Sequence, residues 1–169
     1  MKIATWNING IKARHDLLID WLRGSQPDAC VLQELKSIDE TFPREAIEDA
    51  GYTLETHGQK GFNGVAILAR GAIEDVERGL PGDESDDQAR WIEGTVFGEG
   101  GAAVRLCGLY LPNGNPTPGP KYDYKLAWMA RLEQRAAALL SDEMPTILAG
   151  DFNVIPEPRD AANPANWTD

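Results

Sequence analysis

The sequence has few cysteines and no long apolar run. Cys30 and Cys107 are its two cysteines, and each lies within an apolar, strand-like run where a cysteine is most often a small buried hydrophobe. This disfavours a disulfide-stapled secreted scaffold. The N-terminal stretch MKIATWNING lacks a secretory apolar core, and no run of about 18 apolar residues follows, which predicts a cytoplasmic protein with no membrane partner.

Basic residues are also scarce. The 169 residues include 16 Lys and Arg against 27 Asp and Glu, which gives a formal net charge of −11. This balance excludes a generic basic nucleic-acid coat, so any contact with a polyanion must use local basic loops or a bridging metal ion. With 42% hydrophobic and 25% charged residues, the composition predicts one globular domain over residues 1–169.

Three common catalytic and binding motifs are absent. The sequence contains no G-x-x-x-x-G-K-[ST] phosphate loop, no G-x-S-x-G nucleophile elbow and no Cys/His cluster with zinc spacing. Nucleotide hydrolysis by a phosphate loop, esterase chemistry and a structural zinc site are therefore unsupported.

The apolar pattern predicts strands interspersed with helices. Strand-like runs occupy residues 2–8, 29–35, 52–57, 64–70, 91–97, 103–112 and 146–153, and helical spacing occupies residues 12–23, 43–50 and 121–141. The stripe of the last helix is interpreted as core and comprises Leu126, Met129, Leu132, Ala136, Leu139 and Leu140. Several strands are joined by short turns, so the pattern predicts α/β layers with a mixed sheet.

Polar side chains lie at the ends of three apolar strands. They are Asn7 and Asn9 on the first, Gln33 and Glu34 on the second, and Asp151 and Asn153 on the last. Polar groups at the ends of buried strands cost free energy unless they are paired or bind something, so these ends are candidates for one converging site. A pocket of such oxygen ligands suits Mg²⁺ or Mn²⁺ and does not suit zinc or copper.

The alternative is that each amide or acid only caps a local turn, where Asn and Asp are common. One such motif alone favours capping. Three together favour a metal-assisted reaction at phosphate, because the ion can offset the repulsion between an acidic protein and a phosphodiester.

Six segments carry a family resemblance. They are WNING (6–10), LQELK (32–36), HGQKGFNGVAIL (57–68), RGLPGDESDDQAR (78–90), YLPNG (110–114) and AGDFNV (149–154). In order and spacing they resemble the exonuclease III branch of the exonuclease, endonuclease and phosphatase superfamily. The resemblance implies a four-layer α/β sandwich of two facing mixed sheets flanked by helices. It also implies Mg²⁺-dependent hydrolysis of double-stranded DNA, from 3′ ends and 5′ to abasic sites, with no obligate protein partner.

The resemblance implies a role for each matched polar residue. Glu34 is similar to the principal metal ligand, with Asn7 as a further ligand or as its orienting partner. Asp151 is similar to the group that positions or deprotonates the attacking water, which requires a carboxylate within hydrogen-bond reach. Asn153 is similar to a residue that orients the phosphate or the Asp151 side chain. Asp151 and Asn153 both belong to the implied metal site. Tyr110 is similar to a hydrogen-bond donor near the scissile bond.

Basic and amide side chains in or beside the matched loops form the implied DNA contacts, and these are Lys36, Lys60, Arg90, Asn113 and Lys121. Long basic side chains are usually just solvated, so solvation is the alternative for each of them. Tyr110 has a plain alternative too, a strand residue that packs its ring and leaves its hydroxyl at the edge.

The chain departs from the family pattern in its C-terminal part. The family carries an aspartate-containing strand and then a Ser-Asp-His motif there, and residues 154–169 resemble neither. His15 and His57 do not match the catalytic histidine by position. We therefore expect a fragment without the C-terminal part of the sandwich, with exposed apolar sheet surface and weak or no activity alone.

Two other functions stay open. The chain could be a noncatalytic DNA-binding or complementing module that works with a partner segment, which predicts duplex binding without turnover. It could also be a phosphodiesterase of the same fold with a non-DNA substrate, although the HGQKG segment at 57–61 argues against this by resemblance.

Overall fold

The computed structural model describes residues 1–163, which form eight strands and three α-helices. In chain order these are β1 (Ile3–Asn7), α1 (Ile11–Ser25), β2 (Ala29–Gln33), α2 (Glu45–Asp49), β3 (Thr53–His57), β4 (Val65–Ala69), β5 (Ile73–Arg78), β6 (Trp91–Phe97), β7 (Ala103–Tyr110), α3 (Pro120–Ser141) and β8 (Thr146–Asp151). All predicted elements are present. β5 was not predicted, because its sequence IEDVER has too few apolar residues. Residues 164–169, the end of the segment without the family's C-terminal motifs, lie outside the described range.

The strands form two mixed sheets, as predicted. Their orders are β1-β2-β4-β3 and β5-β6-β7-β8. The pairs β1/β2 and β7/β8 are parallel, and the other neighbours are antiparallel. Parallel neighbours end at the same edge of a sheet. Asn7 is therefore paired with Gln33 in the first sheet, and Tyr110 is paired with Asp151 in the second.

The predicted four layers are confirmed. Ile67 of the first sheet and Leu106 of the second belong to one buried core between the sheets. A second core packs α1 and α2 on the outer face of the first sheet through residues such as Leu18 and Ile47. A third core packs α3 on the outer face of the second sheet through Trp128. The two sheets thus lie between two helical layers.

Both cysteines are buried and free. Cys30 packs in the core beneath α1, and Cys107 packs in the core beneath α3. Burial raises the pKa of each thiol to about 12, so both stay protonated at neutral pH. They behave as small buried hydrophobes, as predicted.

The predicted core stripe of α3 is wrong in part. Leu126, Met129 and Leu140 are exposed, with 47%, 39% and 83% of their surface accessible. The buried face carries Trp128 and Leu139 instead. Trp128 lies about 200° around the helix from Leu126, so burial of the large indole turns the Leu126 face outward.

Within residues 1–163, no helix has the length and hydropathy required to cross a membrane.

A buried ion cluster connects α3 to the second sheet. Glu93 of β6 is fully buried and accepts hydrogen bonds from Arg105 of β7 at 2.6 Å and from Arg135 of α3 at 3.1 Å. The indole of Trp91 also donates to it, at 3.2 Å. Burial opposes ionisation of Glu93, but the bonds from the two arginines outweigh it and hold its pKa below the ordinary value.

The C-terminal end of α1 lies beyond the predicted stop at Gly24. The helix continues through Ser25, and Gln26 then adopts a left-handed φ of 45°. The N–H of Gln26 donates to the carbonyl of Leu22 at 3.0 Å, which closes the helix. Glycine is the usual residue in this capping conformation, so Gln26 carries backbone strain there.

Candidate active site

Side-chain alternation directs three polar residues toward the gap between the sheets. On β1, Ile3 packs in the core between the sheets, and Asn7 lies four residues further along the same face. On β8, Asp151 lies two residues beyond Ala149, which packs in that core, and therefore on the same face of the strand. Tyr110, the last residue of β7, packs against the core directly. The strand ends therefore converge at one edge of the sandwich.

The side-chain amide of Asn7 connects the two carboxylates of the site. Its Nδ2 donates to Oε1 of Glu34 at 2.9 Å and to Oδ2 of Asp151 at 2.8 Å. Its Oδ1 accepts a bond from the N–H of Asn9 at 3.1 Å. A nitrogen that donates to both acids orients them, so this geometry favours the second of the two predicted roles for Asn7.

A left-handed turn places Glu34 in the site. Strict alternation along β2 would carry it to the helix side with Leu32, but Glu34 follows the last strand residue with a φ of 56°. Burial opposes ionisation of Glu34. Hydrogen bonds from Asn7, Lys36 and Tyr110 outweigh that effect and hold its pKa below the ordinary value. The site thus contains a carboxylate that is fully ionised at neutral pH.

Tyr110 crosses from the second sheet to the first. Its hydroxyl donates to Oε1 of Glu34 at 2.9 Å. Burial first, and then this bond to a carboxylate, raise the pKa of Tyr110 to about 12. The phenol is therefore protonated at neutral pH and donates to Glu34, while its ring packs against the core between the sheets.

Asp151 and Asn153 are held by the chain around them. Gly150 precedes them at a point where a Cβ would lie 2.0 Å from the carbonyl oxygen of Leu109, so only glycine fits. Oδ1 of Asp151 accepts the N–H of Asn153 at 2.9 Å. The side-chain amide of Asn153 donates to the carbonyl of Leu111 at 2.7 Å, and its φ is 46°. Asn153 therefore orients Asp151 through its backbone.

The donor set fits a hard divalent cation. Glu34 and Asp151 supply carboxylate oxygens on either side of one amide, and both residues are partly exposed. Within residues 1–163, no cluster of three or more His, Cys, Asp or Glu side chains forms a metal-binding group. Mg²⁺ needs no such cluster, because it is usually held by one or two carboxylates together with water and substrate phosphate.

The five predicted DNA contacts lie in different settings. Lys36 pairs with Oε2 of Glu34 at 3.0 Å and donates to the side chain of Asn9, so its charge offsets that of Glu34. Asn113 is exposed and lines the cleft beside Asp151. Lys60 and Lys121 are exposed on the surface.

Arg90, the fifth predicted DNA contact, is the exception. Its Nε donates to the side chain of Gln88 at 2.8 Å, and its Nη1 donates to the carbonyl of Tyr110 at 3.2 Å. The guanidinium lies over the ring of Tyr110, with 4.9 Å between its carbon and the ring centroid. Arg90 is thus half-buried against the site, in contrast to the exposed lysines.

A cleft of about 1320 Å³ opens beside Asn7 and Asp151. Its wall includes Lys125 of α3, which the sequence did not single out. The ammonium of Lys125 donates to the carbonyl of Asn153 at 2.7 Å and lies 3.4 Å from the carbonyl of Asn113. Burial lowers the pKa of Lys125, while the charge of Asp151 opposes this shift. Its i,i+4 spacing from Lys121 was the available signal.

Neither histidine reaches the carboxylates. Nδ1 of His57 lies 3.1 Å from the carbonyl of Trp91, and Nδ1 of His15 lies 3.1 Å from the side chain of Asp16 on α1. In the described part of the chain, the cleft beside Asp151 is lined by neither of them. This placement agrees with their mismatch to the family's histidine by sequence position.

The two-sheet α/β sandwich and the acidic, amide-rich cleft at its strand ends define a class, the layered α/β proteins with a candidate divalent-cation site. The chain belongs to the Endonuclease/Exonuclease/phosphatase family, whose sequence model matches residues 4–169. The resemblance predicted from the six segments is thereby confirmed.

Named relatives place the chain within this family. It is 36% identical over 160 residues to an exodeoxyribonuclease III of Haemophilus influenzae, covering 95% of this chain and 60% of that protein. Its fold matches a 3′-5′ exonuclease from Neisseria meningitidis with a TM-score of 0.92 and 38% identity, covering 99% of this chain and 64% of that one. An AP endonuclease from Archaeoglobus fulgidus matches with a TM-score of 0.85 and 34% identity, over 98% and 62% of the two chains. The chain thus spans less than two thirds of these relatives.

Proposed function

We propose that this chain carries the metal site of a Mg²⁺-dependent DNA nuclease of the exonuclease III type. Its reactions would be 3′-to-5′ removal of nucleotides and cleavage 5′ to abasic sites in double-stranded DNA. The observation that carries this proposal is the Asn7 amide held between Glu34 and Asp151. This amide brings together a carboxylate that follows β2 of the first sheet and a carboxylate on β8 of the second. Relatives named as an exodeoxyribonuclease III and an AP endonuclease support it.

In this proposal Glu34 and Asp151 hold Mg²⁺, or Mn²⁺ in its place, and Asn7 and Asn153 keep the two carboxylates in position. The ion, when bound, lowers the pKa of water and offsets the charge of the scissile phosphate. Asp151 has one oxygen facing Asn7 and one facing the backbone of Asn153, so its carboxylate is held at a fixed angle to receive a proton from water. Tyr110 stays protonated, and its hydroxyl, which donates to Glu34 in this structure, is the group that would donate to the phosphate when a cation takes its place on Glu34.

Local cations allow an acidic chain to bind DNA. Lys36 lies beside Glu34, and the ammonium of Lys125 donates to the backbone carbonyls of Asn113 and Asn153. Together with the exposed Lys60 and Lys121, these groups would supply contacts to the DNA backbone that do not require a positive net charge. We place this reaction in the cytoplasm and assign it no obligate protein partner.

The test is cleavage of a labelled duplex with one abasic site by the wild-type chain and by Glu34→Gln. With Mg²⁺ the variant should lose about a hundredfold or more in rate, because the charge that holds the ion is gone, whereas duplex affinity in EDTA should stay near the wild-type value. Glu48→Gln on α2 removes a half-exposed carboxylate remote from the cleft and is the matched control.

Equal cutting by wild type and Glu34→Gln would contradict the assignment of the metal site. Duplex binding without any Mg²⁺-dependent cutting, both by the wild-type chain and by a version extended with a family-like C-terminal segment, would favour the noncatalytic binding module instead. Cutting of a phosphodiester panel that excludes DNA would favour the same fold with another substrate.

A further inference from the structure

Arg90 holds Tyr110 by both its backbone and its ring. The N–H of Tyr110 donates to the carbonyl of Arg90 at 2.9 Å, and Nη1 of Arg90 donates back to the carbonyl of Tyr110 at 3.2 Å. The guanidinium carbon lies 4.9 Å from the centroid of the Tyr110 ring. A cation over a ring face is attracted by the ring quadrupole, so the ring is fixed on one face by this contact.

The guanidinium is held in turn by the partly buried amide of Gln88. Nε of Arg90 donates to Oε1 of Gln88 at 2.8 Å, and the same oxygen accepts from Nδ2 of Asn63 at 3.3 Å. Asn63 has only 4% of its surface exposed, and its carbonyl accepts the N–H of Lys36 at 3.0 Å. Arg90 therefore contacts the end of β7 directly and is connected to the loop that follows β2 through Gln88 and Asn63.

These contacts close on themselves. From Lys36 the chain runs back two residues to Glu34, whose Oε1 accepts the hydroxyl of Tyr110 at 2.9 Å. Tyr110 thus holds the side chain of Glu34, and Asn63 holds the backbone two residues further on, at Lys36. Arg90 and Gln88 connect Tyr110 to Asn63. A closed set of hydrogen bonds keeps a carboxylate within a few tenths of an ångström, which a single contact does not.

We infer that Arg90 is a positioning residue that acts through Tyr110, and that it does not bind the DNA backbone. Two of its donor groups, Nε and Nη1, are directed at protein acceptors, and its charge faces a ring rather than the cleft. This inference rests on the proposed nuclease function for its consequence, which is placement of the Tyr110 hydroxyl against Glu34 at the reacting phosphate.

Lysine cannot take over this role. The planar guanidinium reaches a side-chain oxygen and a backbone carbonyl at once while it stacks on the ring, whereas an ammonium is a strongly hydrated point charge. Arg90→Lys keeps the charge and removes the geometry, so it separates positioning from electrostatic attraction of DNA. Arg78→Lys is the matched control, because Nε of Arg78 also donates to a backbone carbonyl, that of Thr56 at 2.7 Å, outside the cleft.

The first experiment is a double-mutant cycle of Arg90→Lys and Tyr110→Phe, measured as single-turnover cleavage of the abasic duplex with Mg²⁺. Arg90→Lys should slow cleavage about tenfold in the wild-type background and by less than about twofold in Tyr110→Phe, since the hydroxyl to be positioned is then absent. Duplex Kd in EDTA, and its salt dependence, should match the wild type. Equal penalties in both backgrounds, or a salt slope reduced by about one in Arg90→Met, would show a direct DNA contact and overturn the inference.

A second measurement does not depend on cutting. The ring signals of Tyr110 in isotope-labelled protein, assigned by their absence from Tyr110→Phe, should shift and show faster ring flips in Arg90→Lys and stay unchanged in Arg78→Lys. Unmoved ring signals in Arg90→Lys would overturn the positioning role. If the ring loosens in a chain that does not cut DNA at all, the positioning contact stands and the proposed function fails, so the two failures are distinguishable.

Discussion

Asn7→Ala is the sharpest test of the candidate site, because one amide keeps two carboxylates apart. Its Nδ2 donates at 2.9 Å to Glu34 and at 2.8 Å to Asp151, and the substitution removes both bonds together. The carboxylates of Glu34 and Asp151 then face each other with no hydrogen-bond donor between them. We expect the folded state to be destabilised at neutral pH in the absence of divalent ions, and to regain stability when Mg²⁺ is added.

The magnitude follows from the geometry. Two acceptors of one NH₂ group lie about 5 Å apart when the two bonds open at about 120°. Two unit charges at that distance repel by about 3 kcal/mol at an effective dielectric constant near 20, and in the wild type the two bonds from the Asn7 amide offset this repulsion. Partial exposure lets water replace some of the lost bonds, so we expect a loss of about 2–3 kcal/mol, or about 5–10 °C in Tm for a chain of this size.

The assay is urea unfolding in EDTA and in excess Mg²⁺. Mg²⁺ should stabilise Asn7→Ala more than the wild type, because it relieves repulsion as well as binding the folded state. Asn7→Asp, which adds a third charge, should be less stable than Asn7→Ala in EDTA. Asn115→Ala removes an exposed amide of the same cleft and serves as the control. A loss below about 0.5 kcal/mol, or one that Mg²⁺ leaves unchanged, would refute the reasoning.

Two further predictions concern stability outside the site. Glu93→Gln should lower the free energy of unfolding by about 3–5 kcal/mol, because it removes the buried charge that pairs with Arg105, which is buried, and with Arg135, which is partly buried; a loss in urea unfolding of about 1 kcal/mol or less, as for an exposed pair, would contradict it. Since the folded pKa of Glu93 lies below its ordinary value of 4.5, its contribution should be complete above that pH and lost as the pH falls through the folded pKa, which melts at stepped acidic pH will show. Gln26→Gly should stabilise the chain by about 0.5–1 kcal/mol by relieving the left-handed cap of α1, and a lower Tm would refute this.

Several residues with a left-handed backbone lie at or beside the candidate site. Besides Glu34, the residues Asn9, Lys36, Asn63 and Asn153 all have φ values between 46° and 53°. Such conformations cost free energy in residues with a side chain and persist where the surrounding structure fixes them. In this chain they lie where strands end and side chains must turn into the gap between the sheets, so the strain accompanies placement of the polar groups.

The residue pattern by itself predicted α/β layers with a mixed sheet and the polar strand ends of the candidate site, whereas the arrangement in four layers was implied by the family resemblance. Period-two alternation on β1 and β8 aims Asn7 and Asp151 into the space between the sheets, and the apolar runs predicted every strand except the charged β5. These features are local, because each depends only on spacing within one strand or helix.

Tertiary structure alone decided the rest. Alternation would have turned Glu34 toward the helices, and only the left-handed turn after β2 brings it to Tyr110 of the other sheet. The inward face of α3 was set by burial of Trp128, and the placement of Lys125 and Arg90 beside the site required elements far apart in the chain to pack together. Such contacts depend on side-chain volume and backbone conformation across two sheets, which spacing along one strand does not encode.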